Sequence, residues 1–287
     1  MARRASWNRL REHLDGLLTV YGARFLDTDP LRYVHRYHSA PDREIAALIA
    51  SSLAYGQVGQ VLASVENVLA RMGPEPGRYV RELRWRDALD DFRGFKHRFN
   101  DARDMVCLLE AARRALDSHG SLGDLLARGF RPDDEDTGPA LAKFSAWMIA
   151  AMEPAIYPAK QLPASVRFFF PSPPGSACKR LCLFARWMAR PADGLDFGQW
   201  RGVPPRALVI PLDTHIARIC SYIGLTRRRT MGWEMAREIT AGLRRLDPVD
   251  PIKYDFAICR LGILDQCPRK RDLDKCRLCP LLAVCLL

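Results

Sequence analysis

The sequence lacks any apolar run that approaches the roughly 20 residues of a membrane-spanning helix, so no membrane segment is expected. No signal peptide is expected either, because Arg3 and Arg4 precede apolar positions that recur at the spacing of an amphipathic helix as far as Tyr21. Convincing alternating strands and internal repeats are absent, and residues 166–170 form the only short strand candidate, with a packed loop as the alternative. These absences favour a helical protein in the cytoplasm.

Helical periodicity fills much of the remaining chain. Apolar side chains recur three and four positions apart in several segments, which is the pattern of helices with one buried face. The clearest stripes are Ile45, Leu48, Ile49 and Leu53; Ile216, Ile219, Cys220 and Ile223; Met235, Ile239 and Leu243; and Ile252, Phe256, Cys259 and Ile263. The sequence therefore predicts an all-α fold.

Four of the nine cysteines lie at the end of the chain, at Cys267, Cys276, Cys279 and Cys285. Their spacing has one C-x2-C pair and two outlying thiols, a pattern that can wrap an iron–sulfur cluster. The second C-x2-C knuckle common in zinc ribbons is missing, so a [4Fe–4S] cluster ranks first, structural zinc second and buried core thiols third. In a reducing cytosol, metal ligation is favoured over disulfides.

Negative charge is scarce in the second half of the chain. Residues 166–287 carry 21 Lys and Arg against 11 Asp and Glu, whereas residues 1–165 carry 23 against 22. Almost all of the net charge of +11 therefore lies in the half that contains the cysteine quartet. This asymmetry favours a nucleic-acid partner, with a solvated charged face as the alternative.

The segment Pro174–Arg180 precedes an amphipathic helix and contains a Pro-Gly pair followed by small residues. Such a turn can direct backbone N–H groups at a phosphate. Lys179 lies at the expected helix start, where the helix dipole, Arg180 and desolvation would all favour the neutral, nucleophilic amine. The alternative is an exposed lysine on the first turn of a helix.

Asp213 begins the segment Asp-Thr-His-Ile-Ala-Arg and is expected to cap the helix that carries Ile216. A carboxylate at this position is suited to stabilising developing positive charge. His215 is expected to form hydrogen bonds within the helix rather than bind a metal. Arg218 is open to a capping, pairing or phosphate-binding role.

Pro-Gly-x-x-x-Lys, then Asp-Thr-His-x-x-Arg, then the cysteine quartet occur in this order. Together they resemble the helix-hairpin-helix DNA glycosylases of the endonuclease III type. The whole chain is also similar to a bacterial family of unknown function within or near that superfamily. The likeness is best over residues 171–287 and weaker over residues 47–56. It implies a two-lobed helix-hairpin-helix glycosylase-like fold that ends in a four-cysteine cluster loop.

The resemblance also implies a division of the chain. Residues 1–40 would form an N-terminal helical segment that packs on the cluster lobe. Residues 41–73 and 163–250 would form the helical core with the hairpin and the catalytic positions. Residues 74–162 would be a helical elaboration, and residues 251–287 the C-terminal helix and iron–sulfur loop.

Site roles follow from the same resemblance. Lys179 matches the lysine that forms a Schiff base with the sugar, and Asp213 matches the carboxylate that stabilises the oxocarbenium-like sugar. The residues expected to contact DNA are Gly175, Ser176, Ala177, Arg180, Arg218, Arg269, Lys270 and Arg271. The residues expected to probe the base stack as a wedge are Leu53, Tyr55 and Gln57. Cys267, Cys276, Cys279 and Cys285 match the cluster ligands.

The chain departs from the superfamily pattern in three places. Ala177 replaces the second glycine of the hairpin, and a long connection from Arg190 to Pro205 lengthens the stretch before Asp213. The gap between the first two cysteines is also longer than usual. Leu53 fits its helical stripe, so a buried core position is the alternative to a wedge. The aromatic residues that could stack a flipped base, or equally lie in the core, are Tyr157, Phe168, Phe169, Phe170 and Trp200.

The expected function is base-excision DNA repair by a monomer, near the nucleoid, that acts on damaged or abasic double-stranded DNA. The reaction would combine glycosylase activity with abasic-site lyase activity through Lys179. The alternatives are a monofunctional or non-catalytic iron–sulfur DNA-binding protein, and a cluster-dependent redox or RNA-acting protein. Arg227, Arg228 and Arg229 fit any of these, either as a solvated loop or as phosphate contacts.

Overall fold

The computed structural model describes residues 6–287, and helices dominate them. Fifteen α-helices are described within this range. They are α1 (Trp7–Val20), α2 (Leu31–Val34), α3 (Ala40–Ser52), α4 (Val58–Met72), α5 (Pro76–Arg81), α6 (Trp85–Asp91), α7 (Ala102–His119), α8 (Leu122–Gly129), α9 (Gly138–Ala150), α10 (Ala164–Arg167), α11 (Lys179–Ala189), α12 (Thr214–Tyr222), α13 (Trp233–Arg244), α14 (Asp255–Ile263) and α15 (Leu273–Arg277). Short 3₁₀ helices cover Ala23–Thr28, Pro154–Ile156, Pro205–Ala207 and Leu282–Val284. The predicted all-α class is confirmed.

The only strands in the described residues are two short ones, and the sequence did not predict them. Strand β1 (Lys96–His97) pairs antiparallel with β2 (Asn100–Asp101), which leaves Arg98 and Phe99 at the tip of a two-residue turn. The predicted strand candidate at residues 166–170 is wrong, since it covers the end of α10 and the turn after it. Its apolar residues pack in consecutive helical and turn positions instead of alternating across a sheet.

The core forms around α3, which packs against α2, α5 and α11. Ser39 caps its N-terminus through a hydrogen bond from the backbone N–H of Asp42. Ile45, Leu48 and Ile49 are fully or almost fully buried. Helix α11 therefore lies directly against the helix that leads into residues 53–57.

The N-terminal helix α1 packs against α14 and against the 3₁₀ turn near the C-terminus. The His13 Nδ1 atom lies 2.9 Å from the backbone carbonyl oxygen of Pro280. Helices α12 and α14 also pack against each other. The two ends of the described chain therefore meet beside the helix that Asp213 caps. Within residues 6–287, no helix is long and apolar enough to cross a membrane.

A buried ion network joins α11 to α14. The guanidinium of Arg186 binds the carboxylates of Asp255 and Asp196, and the Arg186–Asp196 distance is 3.1 Å. Arg190 binds the other oxygen of Asp196 at 2.6 Å and also binds Asp250 at 2.9 Å. Arg186, Asp196 and Asp255 are almost inaccessible to solvent, so each depends on its partners to offset desolvation.

Candidate functional site

Lys179 is the first residue of α11, at the end of the turn predicted to bind phosphate. The turn contains a cis peptide bond between Pro173 and Pro174. Cys178, just before the helix, has a φ of +50° and donates its backbone N–H to the Ser176 hydroxyl at 3.2 Å. The Lys179 Nζ atom donates to the backbone carbonyl of Ala54 at 3.3 Å, so the half-buried amine points toward the end of α3.

Asp213 is the N-cap of α12, as its sequence position predicts. Its Oδ1 atom accepts hydrogen bonds from the backbone N–H groups of His215 and Ile216, each at 2.8 Å. Its Oδ2 atom accepts a hydrogen bond from the Cys259 thiol at 3.5 Å. One oxygen is thus committed to the helix end, and the other has a weak thiol donor as its partner.

Cys259 and His215 lie within the electrostatic reach of both Lys179 and Asp213. Burial lowers the pKa of His215; Asp213 opposes this shift, whereas Arg218 and Lys179 add to it. Burial also raises the pKa of the Cys259 thiol well above its usual value, with Asp213 adding to the shift and Lys179 opposing it. We call Lys179, Asp213, His215 and Cys259 the grouped side chains, because the amine and the carboxylate both act on the pKa of the imidazole and of the thiol.

Sequence reasoning did not find Cys259. It belongs to an apolar helical stripe, and a cysteine in such a stripe reads as core. Its thiol is brought to Asp213 by the packing of α14 against α12, which no local pattern reports. The same packing requires a glycine at position 262, where an added Cβ atom would lie 2.6 Å from the His215 Nδ1 atom.

Arg180 does not occupy the phosphate-contacting position that was expected. It is 6% exposed, and its guanidinium donates to the backbone carbonyls of Ser52, at 3.3 Å, and Phe168. The guanidinium carbon also lies 3.7 Å from the centre of the Phe168 ring. Burial without a carboxylate partner lowers the pKa of Arg180 to about 10. The prediction is corrected, since Arg180 ties α11 to α3 from inside the protein.

The three wedge candidates have different environments. Leu53 is fully buried at the C-terminus of α3, so the core alternative is correct and the wedge prediction is wrong for it. Tyr55 is half-buried; its hydroxyl donates to the Asn100 side chain, and the hydroxyl oxygen lies 3.2 Å from the His97 carbonyl oxygen. Gln57 is exposed and precedes α4.

The aromatic residues that could stack a flipped base differ in their exposure to solvent. Trp200 is nearly buried and donates its indole N–H to the Glu44 carboxylate at 2.7 Å, while the Tyr157 hydroxyl donates to Asp104 at 2.8 Å. Phe169 and Phe170 are core residues with at most 2% exposure. Phe168 is 40% exposed, so it is the member of this group that solvent reaches readily.

The C-terminal cysteine loop is attached to α12 through side chains. Arg218 donates to the backbone carbonyl of Cys267 at 2.8 Å, and the same nitrogen lies 3.5 Å from the His215 ring. Tyr222 donates its hydroxyl to the carbonyl of Arg269 at 2.8 Å. Arg218 is half-buried and makes an internal contact that links the candidate site to the loop, and its phosphate contact stays a prediction.

The four loop cysteines have free thiols and partial exposure. Burial raises the pKa of Cys267 to about 11, and Cys279, Cys285 and Cys276 each add to that shift. Even so, residues 6–287 contain no set of three His, Cys, Asp or Glu side chains arranged closely enough to hold a metal ion. The donor set suits a cluster or zinc, and the loop would have to close around either.

The basic positions near the loop face solvent. Arg269, Lys270 and Arg271 are exposed, and the structure gives none of them a salt bridge within its described range.

Gly175 is exposed at the hairpin, and Ser176 and Ala177 are half-buried there. The exposed run of Arg227, Arg228 and Arg229 is partly neutralised, because Arg228 pairs with Glu238 at 3.3 Å.

A model of a family described as a protein of unknown function (DUF2400) matches residues 29–264. The chain belongs to the DUF2400 family. The matched range of DUF2400 contains Lys179, Asp213, His215 and Cys259 and ends before Cys267. A search of curated proteins finds no match.

In this DUF2400 chain, the grouped side chains are all partly open to solvent. Lys179 offers a primary amine that can attack an electrophilic carbon once it is neutral. Asp213 offers a carboxylate oxygen with only a thiol donor, which can stabilise positive charge on a nearby substrate. The arrangement is chemically suited to covalent catalysis by an amine.

Proposed function

We propose that this protein is a DNA glycosylase with abasic-site lyase activity, built on a helix-hairpin-helix glycosylase-like fold. The observation that carries the proposal is the placement of two side chains: the Lys179 amine lies half-buried at the end of α3, and Asp213 caps α12 with one carboxylate oxygen bonded only by the Cys259 thiol. Both residues also act on the pKa of His215 and of Cys259. The order of the motifs and the positive charge of residues 166–287 also support it. The substrate would be damaged or abasic double-stranded DNA.

In the proposed reaction, Asp213 stabilises positive charge on the sugar while the bond to the base breaks and the base leaves with the bonding electrons. The neutral Lys179 amine then forms a bond to C1′ and gives up one proton. The C1′–O4′ bond breaks, its electrons go to O4′, which takes up a proton, and a protonated imine forms between Lys179 and C1′. Loss of a C2′ proton from the imine allows elimination of the 3′ phosphate and nicks the strand. Since Lys179 donates to Ala54, this hydrogen bond must break before attack.

Cys267, Cys276, Cys279 and Cys285 would hold a [4Fe–4S] cluster, with structural zinc as the second choice. The bound group would hold the loop that presents Arg269, Lys270 and Arg271 to the DNA backbone. Its contribution would be structural, and Arg218 would transmit the loop position to α12 through the carbonyl of Cys267.

A second candidate function is DNA binding without catalysis. It is favoured by the hydrogen bond that engages the Lys179 amine with Ala54 instead of leaving it free. Such a protein would use the same basic surface and the same abasic-site preference.

Borohydride trapping on a duplex with an abasic site separates the two functions. The chain should form a covalent adduct, and Lys179→Gln should abolish the adduct while DNA binding remains measurable. Lys160→Gln is the matched control, since Lys160 is an exposed lysine on a turn and its loss removes the same charge. Trapping that survives in Lys179→Gln would remove Lys179 from the mechanism. Binding without any adduct in the original chain would favour the non-catalytic function.

A further inference from the structure

Three aromatic rings from distant parts of the chain meet at the surface beside Lys179. Phe99 and Phe168 have ring centres 4.8 Å apart, and Tyr55 lies 5.4 Å from Phe99 and 5.1 Å from Phe168. Phe99 is 46% exposed and Phe168 is 40% exposed. We call Tyr55, Phe99 and Phe168 the aromatic patch. Exposed phenylalanines that contact each other need an explanation, because scattered apolar residues are normal on a surface and clusters are less so.

The aromatic patch is held in place by buried hydrogen bonds. Asp104 is 2% exposed and accepts hydrogen bonds from the side chains of Asn100, at 2.8 Å, and Ser165, at 3.0 Å. Asn100 follows Phe99 in the β-hairpin, and Ser165 lies in α10 just before Phe168. One buried carboxylate therefore fixes the two segments that carry the exposed rings.

The Tyr55 ring is also held by the side chain of His97. The ring of His97 lies 4.6 Å from that of Tyr55 at 81°, and the His97 Nδ1 atom lies 2.8 Å from the Ser64 hydroxyl oxygen. Burial raises the pKa of Tyr55 to about 12, so the phenol keeps its proton and donates to Asn100. The aromatic patch is thus preorganised and presents ring surfaces without negative charge.

Exposed basic residues lie next to the rings along the chain. Arg98 precedes Phe99 and Arg167 precedes Phe168; both are exposed, as is Lys96, and the structure shows no salt bridge for any of the three within residues 6–287. Asp101, the acidic residue in the hairpin, accepts the backbone N–H groups of Arg103 and Asp104 at the start of α7. The charge around the aromatic patch therefore complements a phosphate backbone.

Arg98 is in an unfavourable backbone conformation. Its φ is +54°, a value at which glycine is the least strained residue and an arginine is uncommon. Its side chain crosses Gly56, where an added Cβ atom would lie 3.0 Å from the Arg98 Cδ atom. The strained turn places a cation against the loop that carries Tyr55, at the edge of the rings.

We infer that the aromatic patch stacks an unpaired nucleobase of bound DNA, with Phe99 and Phe168 supplying the ring faces and Arg98 and Arg167 contacting the flanking phosphates. Exposed aromatic side chains within a positively charged surface are the recurring means of holding unstacked bases. The inference deepens the proposed function and rests on it. It gives residues 74–162, expected to be an elaboration, a direct role through the β-hairpin.

The location favours a base beside the reacting nucleotide. Lys179 donates to Ala54, and Ala54 is followed directly by Tyr55 of the aromatic patch. Arg180, the residue after Lys179, packs its guanidinium on the Phe168 ring. A base stacked at the aromatic patch would therefore lie close to the Lys179 amine, because Tyr55 of the patch directly follows Ala54, whose carbonyl accepts the hydrogen bond from Lys179.

The test compares the affinity of the full chain for two duplexes, one fully paired and one with a single unpaired base opposite an abasic site. We expect Phe99→Leu and Phe168→Leu each to weaken binding of the unpaired-base duplex by about 5- to 150-fold, the range typical of one lost base–aromatic stack. Binding of the paired duplex should change by less than about twofold, because the phosphate contacts remain. Phe99→Trp should retain the affinity, since it preserves a ring face.

Val249→Ala is the matched control, because Val249 is 70% exposed on a turn outside the aromatic patch. Equal affinities of Phe99→Leu and the original chain, or equal losses on both duplexes, would overturn the inference. A chain that does not distinguish the two duplexes would also overturn it.

Borohydride trapping in parallel separates this result from the proposed function. If the chain forms an adduct but Phe99→Leu and Phe168→Leu keep their affinity for the unpaired-base duplex, base stacking is refuted and the proposed function is not. Selective loss of affinity without an adduct would refute the lyase and leave base stacking in place.

Discussion

The contact between Gly262 in α14 and His215 in α12 allows a sharp test of how the candidate site is assembled. A Cβ atom at position 262 would lie 2.6 Å from the His215 Nδ1 atom and 2.7 Å from its Cβ atom. The His215 Cβ atom is attached to the backbone, so rotation of the ring cannot relieve both contacts. Gly262→Ala must therefore push α12 and α14 apart by several tenths of an ångström.

Two effects of opposite sign decide the magnitude. Alanine is favoured over glycine inside a helix by roughly 0.5–1 kcal/mol. Overpacking a well-packed contact typically costs about 1–3 kcal/mol. We therefore expect Gly262→Ala to lower the free energy of unfolding by about 0–2.5 kcal/mol, the difference between the two effects. It should also weaken Schiff-base trapping, because Asp213 and Cys259 lie on the two displaced helices.

Gly16→Ala is the matched control. Gly16 lies inside α1, and a Cβ atom there would meet nothing within 4 Å. The same chemical change should therefore raise the free energy of unfolding by roughly 0.5–1 kcal/mol. Urea denaturation followed by circular dichroism measures both. A Gly262→Ala variant as stable as Gly16→Ala would refute the close packing of α12 on α14.

Two further variants test other parts of the structure. Arg186→Met leaves two buried carboxylates without their shared partner, so urea denaturation should show a loss of about 3–5 kcal/mol; Arg93→Met, at an exposed pair, should cost less than about 1 kcal/mol. A loss of less than about 1 kcal/mol in Arg186→Met, the level expected for an exposed pair, would refute the buried network. Arg218→Met removes the hydrogen bond to Cys267, so a thiol reagent should modify the loop cysteines faster than in Arg227→Met. Equal rates would contradict the role of Arg218 as an anchor.

Local patterns determined much of the secondary structure around the candidate site. The apolar stripe that includes Ile216 and Ile219 lies in α12, and Asp213 caps that helix because a short acidic side chain before such a stripe accepts free backbone N–H groups. Lys179 is the first residue of α11, as the preceding turn residues predict. These features depend on neighbours within a few residues, so the sequence reports them directly.

Only the tertiary structure decided which side chains meet and which face solvent. Arg180 and Lys179 are adjacent, yet one is enclosed between Ser52 and Phe168 and the other remains half-exposed. Phe168 and Phe169 are also adjacent, yet only the first is exposed. Exposure depends on what distant segments cover, and sequence composition does not encode that.

The contacts of Cys259 with Asp213 and of Phe99 with Phe168 also depend on segments that are distant in sequence. Each pair joins segments separated by many residues, through the packing of α12 on α14 and through the hydrogen bonds of Asp104. The amino-acid sequence by itself determined the helices that carry the apolar stripes, the Asp213 cap and the sign of the charge. Long-range packing decided the chemistry of the site, because contacts between distant segments exist only in the folded chain.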